Sequence, residues 1–419
     1  MKARIDPLEA VHRLSCAIAQ AVDLHDVYQI ILNEVVEIMG VEKASIMVYD
    51  EARKGLRIAA ARGMDPEVIK KVFVPAGEGI SGRVFATETP VVVRDMKHAQ
   101  LPSGQGQYKT SSLISAPVTS FEMNMGGRPL GVINVTDRRD GTPFTEGDLK
   151  LLTTASNQLA SYMHILRLTD EVRAAERLMG ELEVARAIQQ RLLPVKPLAL
   201  DGLDVYGRVV AAEKVGGDCY DYFFTHTRKP TFIVADVSGH NVPAAMLMAS
   251  LRSVIRAQRD TDYAPAMLVQ KVNTMLFDDL SSTEQFISMV YLQYLPARKL
   301  IRYTNAGHPP PLVWRASLNA FEELMTDDPL VGIDAFSLYH EKQMVVSSGD
   351  VMLLYTDGVT EAANAAGERM GTGVLKEVLR EVAHLSAREI VDAVIGAATE
   401  FAGAPVLKDD VTVLVLKVV

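Results

Sequence analysis

The sequence predicts a multidomain chain that mixes helix and sheet, of the α/β multidomain (α+β) class, on three observations. Its 419 residues imply two or three domains rather than one. Hydrophobic residues at 48% and charged residues at 23% supply ordinary cores and exclude intrinsic disorder and fibrous repeats. The apolar residues then recur at strand spacing in some stretches and at helix spacing in others, dividing the chain into three regions.

Residues 7–168 mix both periods. Val27, Ile30, Ile31, Val35 and Ile38 lie at helical spacing and predict an amphipathic helix over 24–39. Stretches 43–49 and 55–61 read as strands around an Asp-Glu-Ala-Arg-Lys-Gly turn, with more strands at 91–93, 113–121 and 129–136. Thr145, with Asp148 three residues on, is placed to cap a long helix. Cys16 falls in the first helix and is expected to be a buried apolar thiol.

The long helix continues through a linker, 169–194, until Pro194 and Pro197 close it. Leu168, Val172, Ala175, Met179 and Leu182 follow a 4-3-4-3 spacing among charged neighbours, the pattern of a coiled-coil seam. A homodimer paired along this helix is expected; a helix packed on its own domain is the alternative. From 198 to 419, strands are predicted at 203–211, 219–224, 231–235, 286–295, 300–305, 351–356 and 411–417. Helices are predicted at 242–258, 265–280, 371–381 and 387–401. Helix pairs between and before strands suggest two sheets covered by helices.

Composition limits the partners. Against 43 Lys and Arg stand 52 Asp and Glu, a net charge of −9, which argues against nucleic acid as the main partner. Cys16 and Cys219 are too few and too far apart for a disulfide framework or a thiolate metal site, consistent with a reducing cytoplasm. The longest charge-free run, 237–251, is about fifteen residues and too short to cross a bilayer. The acidic start of the chain does not read as a signal peptide, so a cytoplasmic location is expected.

The chemistry lies in the last region. Gly216-Gly217-Asp218-Cys219-Tyr220-Asp221 and Ala235-Asp236-Val237-Ser238-Gly239-His240 flank a polar stretch, and a hairpin about residue 227 sets Asp218 nearly opposite Asp236. Asp357 follows the apolar run 351–356, and Asp409 and Asp410 precede the apolar run 411–416. One acid at a strand end is an ordinary turn residue, but four such places in one domain point to a cluster. Clustered carboxylates persist only when protonated or neutralised by cations, and oxygen-only ligands select Mg²⁺ or Mn²⁺. Two such ions about 3.5–4 Å apart activate water for attack on phosphorus, so metal-dependent phosphate-ester hydrolysis is the expected reaction.

These segments, with Asn305-Ala306-Gly307-His308-Pro309-Pro310, Tyr355-Thr356-Asp357-Gly358-Val359-Thr360-Glu361 and Asp409-Asp410-Val411-Thr412, resemble in order the motifs of the SpoIIE/RsbU-type branch of the metal-dependent (PPM, protein phosphatase 2C-like) Ser/Thr phosphatases. Residues 181–194 resemble that branch's linker. The resemblance implies an αββα sandwich that hydrolyses phosphoserine or phosphothreonine through a water bridging two Mn²⁺ or Mg²⁺ ions. Asp236 would bridge both metals, with the Val237 carbonyl on one. Asp357 and Asp409 would complete the second, with Asp410 as neighbour, and Asp218 would bind directly or through water. The substrate implied is a phosphorylated STAS-domain anti-anti-sigma factor. Animal-type relatives carry an arginine before the first acid to hold phosphate, which this branch generally lacks; in the matching stretch 211–215 Lys214 is the candidate substitute, and a solvated surface lysine is its alternative reading. His308 invites a general-acid role or a ring that bonds backbone; His240 is a weaker candidate.

Residues 10–168 are similar to a GAF domain, carried by 23–49, Gly77-Glu78-Gly79-Ile80-Ser81-Gly82-Arg83-Val84 and Gly131-Val132-Ile133-Asn134-Val135. The implied organisation is a sensor (7–168) of unknown ligand, a helical linker (169–194) and a phosphatase domain (198–419). Two other readings compete. Gly217-Asp218 resembles part of the Gly-Gly-Asp-Glu-Phe motif of diguanylate cyclases, but Cys219 and Tyr220 replace the Glu-Phe pair. A silent scaffold that binds a partner protein without turnover predicts loss of carboxylates, yet all four positions are acidic.

Overall fold

A computed structural model describes the chain except residues 1–6, 19, 20, 22, 95–111, 123–125, 195–197, 199, 240 and 404–406. Two compact units, Met1–Glu176 and Arg177–Val419, divide it.

The first unit comprises α1 (Pro7–Ile18), α2 (Leu24–Met39), β1 (Val41–Asp50), β2 (Gly55–Arg62), α3 (Pro66–Lys71), β3 (Phe73–Pro75), α4 (Gly79–Thr87), β4 (Val91–Val93), β5 (Leu113–Glu122), β6 (Gly126–Arg138) and the beginning of α5 (Glu146–Leu192). The six strands pair in the order β3-β2-β1-β6-β5-β4, antiparallel throughout. Alternation of side chains gives the sheet two apolar faces. Ile46 and Ile133 join Val27, Ile31 and Val35 of α2 and Leu152 and Leu159 of α5 on one side. Met47 and Val132 join Val84 and Phe85 of α4 on the other.

The helix over 24–39 forms as expected, capped by the Asp23 carboxylate on Asp26 N–H and closed by Gly40 at φ 63°. The α5 start is a reciprocal cap: Thr145 N–H donates to Asp148 Oδ2 at 2.8 Å, and Asp148 N–H to Thr145 Oγ1 at 3.3 Å. The short elements α3, β3 and α4 carry too few residues for a periodic signal. Cys16 is a correction: it is exposed, not buried. Leu14 and Ile18 take the buried face of α1, and a residue two positions from each points the other way.

The second unit comprises the end of α5, then β7 (Leu203–Val210), β8 (Cys219–Phe224), β9 (Pro230–Val237), α6 (Asn241–Ala257), α7 (Pro265–Ser282), β10 (Ile287–Leu295), β11 (Leu300–Ala306), β12 (Leu312–Arg315), β13 (Ala320–Glu323), β14 (Lys342–Val345), β15 (Val351–Tyr355), α8 (Asp357–Thr360), α9 (Gly371–Val382), α10 (Ala387–Ala402) and β16 (Val411–Val418). One sheet runs β14-β11-β10-β9-β8 and the other β13-β12-β15-β16-β7. Three cores separate four layers. Ile233, Ala235, Met289 and Tyr291 of the first sheet pack under α6 and α7. Leu353, Tyr355, Val413 and Val415 of the second pack under α9 and α10. Between the sheets lie Phe232, Val234, Val290, Leu292, Met352, Leu354, Leu414 and Leu416. The αββα sandwich follows from strands that are apolar on both faces.

Candidate active site

At one end of the inter-sheet core the buried stripe turns polar without changing parity. Tyr220 and Tyr222, Phe232 and Val234, Val290 and Leu292, Met352 and Leu354, and Leu414 and Leu416 fill the space between the sheets. The next position of the same parity in these five segments is Asp218, Asp236, Ser288, Thr356 and Thr412. Residues two apart on a strand share a face, so the period that builds the core also delivers these groups to its rim. The register pairs Cys219 with Ala235 and thereby sets Asp218 across from Asp236, and it pairs Ser288 with Asp236.

Close contacts tie the motif segments together. A Cβ on Gly216 would overlap the Asp410 carboxylate, and one on Gly358 would overlap the Asp410 carbonyl. A Cβ on Gly217 would stand 2.5 Å from the Val237 carbonyl oxygen. Gly217 and Gly358 are required by close backbone approach and Gly216 is closed off by the Asp410 side chain; none of the three adopts a left-handed conformation. Thr356 Oγ1 donates to Asp218 Oδ2 at 2.7 Å and accepts from Thr412 N–H at 2.9 Å.

Asp357 opens the one-turn α8 directly after β15. Asp409 is exposed. Asp410 turns the other way: its Oδ1 accepts from Ala212 N–H at 2.9 Å, and the Asp218 and Gly217 amides also favour its charge.

The charged groups acting most strongly on each buried carboxylate are other carboxylates. Burial pushes Asp218 well above the usual range, and Asp236 and Asp410 push it further. Asp236 is pushed up to about 7 by burial and by Asp357 and Asp409, against a hydrogen bond with Asp218. Asp357 is raised by burial, Asp409 and Glu361. Asp410 is raised by burial despite its amide partners. Among the described residues no three His, Cys, Asp or Glu side chains stand close enough to hold an ion as placed. The donors nevertheless fit a hard divalent cation: they are all oxygen, and their mutual repulsion needs positive charge.

His308 is buried, with Nδ1 2.8 Å from Ser288 Oγ. Burial lowers its pKa to about 3, against weaker favourable contacts with the Tyr355 and Ser288 backbones, so the ring is neutral at pH 7. That protonation state does not suit an imidazolium acid. Lys214 is ion-paired with Glu183 of α5 on the wall of a cavity of about 210 Å³ shared with Arg186, Arg208, Asp218 and Asp410. His240 lies outside the described residues.

Three residues had no assigned role in the sequence reading. Asp221 is the other acid of its motif, but its opposite parity turns it toward α6. There Arg256 Nε donates to Oδ2 at 2.7 Å and Arg252 Nε lies 3.2 Å from it. Gln189 of α5 donates from Nε2 to the Gly216 carbonyl at 2.6 Å and accepts from Gly216 N–H at 3.3 Å. Thr356 could have been found by extending the alternation of β15 by one step.

Comparison with known proteins agrees with this architecture. The family described as Stage II sporulation protein E (SpoIIE) matches residues 228–419, and the GAF domain family matches residues 23–163. The chain is 27% identical to the phosphoserine phosphatase RsbU of Bacillus subtilis over 244 residues, 58% of this chain and 71% of RsbU. It is 28% identical to the phosphoserine phosphatase RsbP of the same organism over 184 residues, 43% of this chain and 45% of RsbP. The structure of the SiaA-PP2C domain of Pseudomonas aeruginosa superposes with a TM-score of 0.53 at 21% identity, over 58% of this chain and 98% of that one, a likeness of fold. The second unit thus has a PP2C-type fold within an α+β chain of several domains, and the two curated relatives it resembles are phosphoserine phosphatases. The chain carries a SpoIIE-type phosphatase domain behind a GAF domain. The SpoIIE match begins after Asp218, an acid that the β8–β9 pairing sets across from Asp236.

Proposed function

We propose that the second unit hydrolyses phosphoserine or phosphothreonine on a protein, with two Mn²⁺ or Mg²⁺ ions held at the rim of the inter-sheet core. The observation that carries this reading is that Asp218, Asp236 and Asp357, from separate segments, are each burdened by the charge of neighbouring carboxylates, with Asp409 among those acting on Asp236 and Asp357. Asp236 lies centrally, being acted on by Asp218, Asp357, Asp409 and Asp410, and suits a ligand shared by both ions. Asp409 suits the second ion better than Asp410, whose carboxylate is already occupied by the Ala212 amide. Ligation would turn these side chains inward, with the Val237 carbonyl beside them. Ions bound there would supply charge neutralisation and an activated water for attack at phosphorus. The chain's own residues orient the site: Thr356 holds Asp218, and Gln189 holds the loop before it. Lys214, drawn off by Glu183, is not poised to hold the phosphate.

The substrate we infer is a phosphorylated STAS-domain protein of the anti-anti-sigma type, by resemblance to the SpoIIE/RsbU branch. We further propose a homodimer joined by the GAF units and α5, in which a signal at the GAF unit alters the pairing of α5 and so the loop held by Gln189. Asp236→Asn is the direct test. It should lower Mn²⁺-dependent release of phosphate from a phosphopeptide on the order of 100-fold or more. Wild-type rates in that variant would refute the assignment.

A further inference from the structure

His308 occupies the link by which the chain leaves one sheet for the other. It follows β11 of the first sheet by two residues and precedes β12 of the second by four. Its backbone is fixed on both sides: His308 N–H donates to Asn305 Oδ1 at 2.8 Å, and Asn305 Nδ2 donates to the His308 carbonyl at 3.0 Å. Asn305 is itself buried and also bonds the Leu324 carbonyl at 3.1 Å. The main chain from which the ring projects is therefore held in place.

The ring's two neighbours belong to different sheets. Ser288, 2.8 Å from Nδ1, stands opposite Asp236 in the β9–β10 register. The Tyr355 backbone, two residues before Asp357, is the ring's contact on the other side. A neutral imidazole has one donor and one acceptor and can bond a hydroxyl with one nitrogen and a carbonyl with the other. Nε2 is buried and makes no well-formed hydrogen bond. An unsatisfied buried nitrogen is costly, so a small approach of the two sheet ends that let it bond would be favourable.

Resting on the two-ion reading above, we propose that His308 is a positioning residue, a cross-brace that holds the Asp236 strand and the Tyr355–Asp357 turn at the separation the two ions require. Drawing the carboxylates inward brings the sheet ends together and completes the Nε2 contact. Removing the brace weakens ion binding, because the ions alone must then hold the strands. The neutral ring does not donate the proton to the leaving group.

The test is Mn²⁺ binding to the full chain by calorimetry, beside hydrolysis of a phosphopeptide as a function of pH and Mn²⁺. His308→Phe keeps the ring's bulk and deletes both nitrogens. It should weaken Mn²⁺ binding about tenfold and raise the Mn²⁺ needed for half-maximal hydrolysis by the same factor. The pH–rate profile should keep its shape. His308→Gln, which retains a donor and an acceptor, should recover most of the affinity. Ser288→Ala, which removes one hydroxyl, should shift binding in the same direction and keeps the test open if His308→Phe fails to fold. Unaltered Mn²⁺ affinity in all three variants would overturn the proposal. So would loss of one limb of the pH profile in His308→Phe at unchanged affinity, the signature of a general acid. Wild-type protein that binds no Mn²⁺ would instead refute the two-ion reading, and Asp236→Asn serves as the non-binding control.

Discussion

Single residues here act through period and proximity. Asp218, Asp236, Ser288, Thr356 and Thr412 reach one rim because each continues a strand's inward alternation, while Asp221, one position out of phase, is spent on Arg252 and Arg256. The acids were legible in the sequence as residues at strand ends. Ser288 and Thr356 were not singled out, because a hydroxyl beside an apolar run is ordinary until its neighbour across the sheet is known. In the first unit, Asp148 shows a carboxylate held below its usual range. Burial would raise its pKa, but hydrogen bonds from Thr145 and the Arg138 guanidinium outweigh that. A depressed carboxylate adds stability above its unfolded pKa of about 3.9, and that stability is lost as pH falls through the lower folded value. Asp148→Asn should therefore cost about 1–2 kcal/mol at pH 7 in the unfolding transition of the GAF unit. The gap from wild type should narrow progressively as the pH falls below about 3.9, the unfolded value; a gap that does not narrow would point to packing instead.

At the scale of elements, α5 is the informative case. It runs for 47 residues, and its capping box and closing prolines were readable in advance. Ile165, Leu168, Val172 and Met179 are exposed along it, a continuous apolar stripe on an otherwise charged surface. Leu168→Glu with Val172→Glu should convert a dimer to a monomer, read as a halved mass by light scattering, while leaving far-ultraviolet circular dichroism in place. A single mass shared by wild type and variant would remove the seam from the account. The elements the sequence did not reveal are short. The four-residue strands β12, β13 and β14 fall below the length at which alternation is distinguishable from chance, and sheet pairing alone defines them.

For the whole molecule, the proposed sensor-to-catalyst coupling predicts that a chain beginning at Leu198 will differ from the full chain in rate and in response, because it lacks Gln189 and the proposed dimer seam. Equal Mn²⁺-dependent rates, with the same response to any activating condition, would sever the linker from regulation. Among the described residues no helix is long and apolar enough to cross a membrane. By itself the sequence determined the mixed fold class, the order of the longer helices and strands, and which acids stand at strand ends, since these follow from local period and residue chemistry. Only the tertiary structure decided which polar groups share the rim, that Asp410 faces backbone amides while Asp409 stays exposed, and that His308 sits neutral between two sheets. Those outcomes depend on burial and on contacts between segments as much as 198 residues apart, which no local pattern encodes.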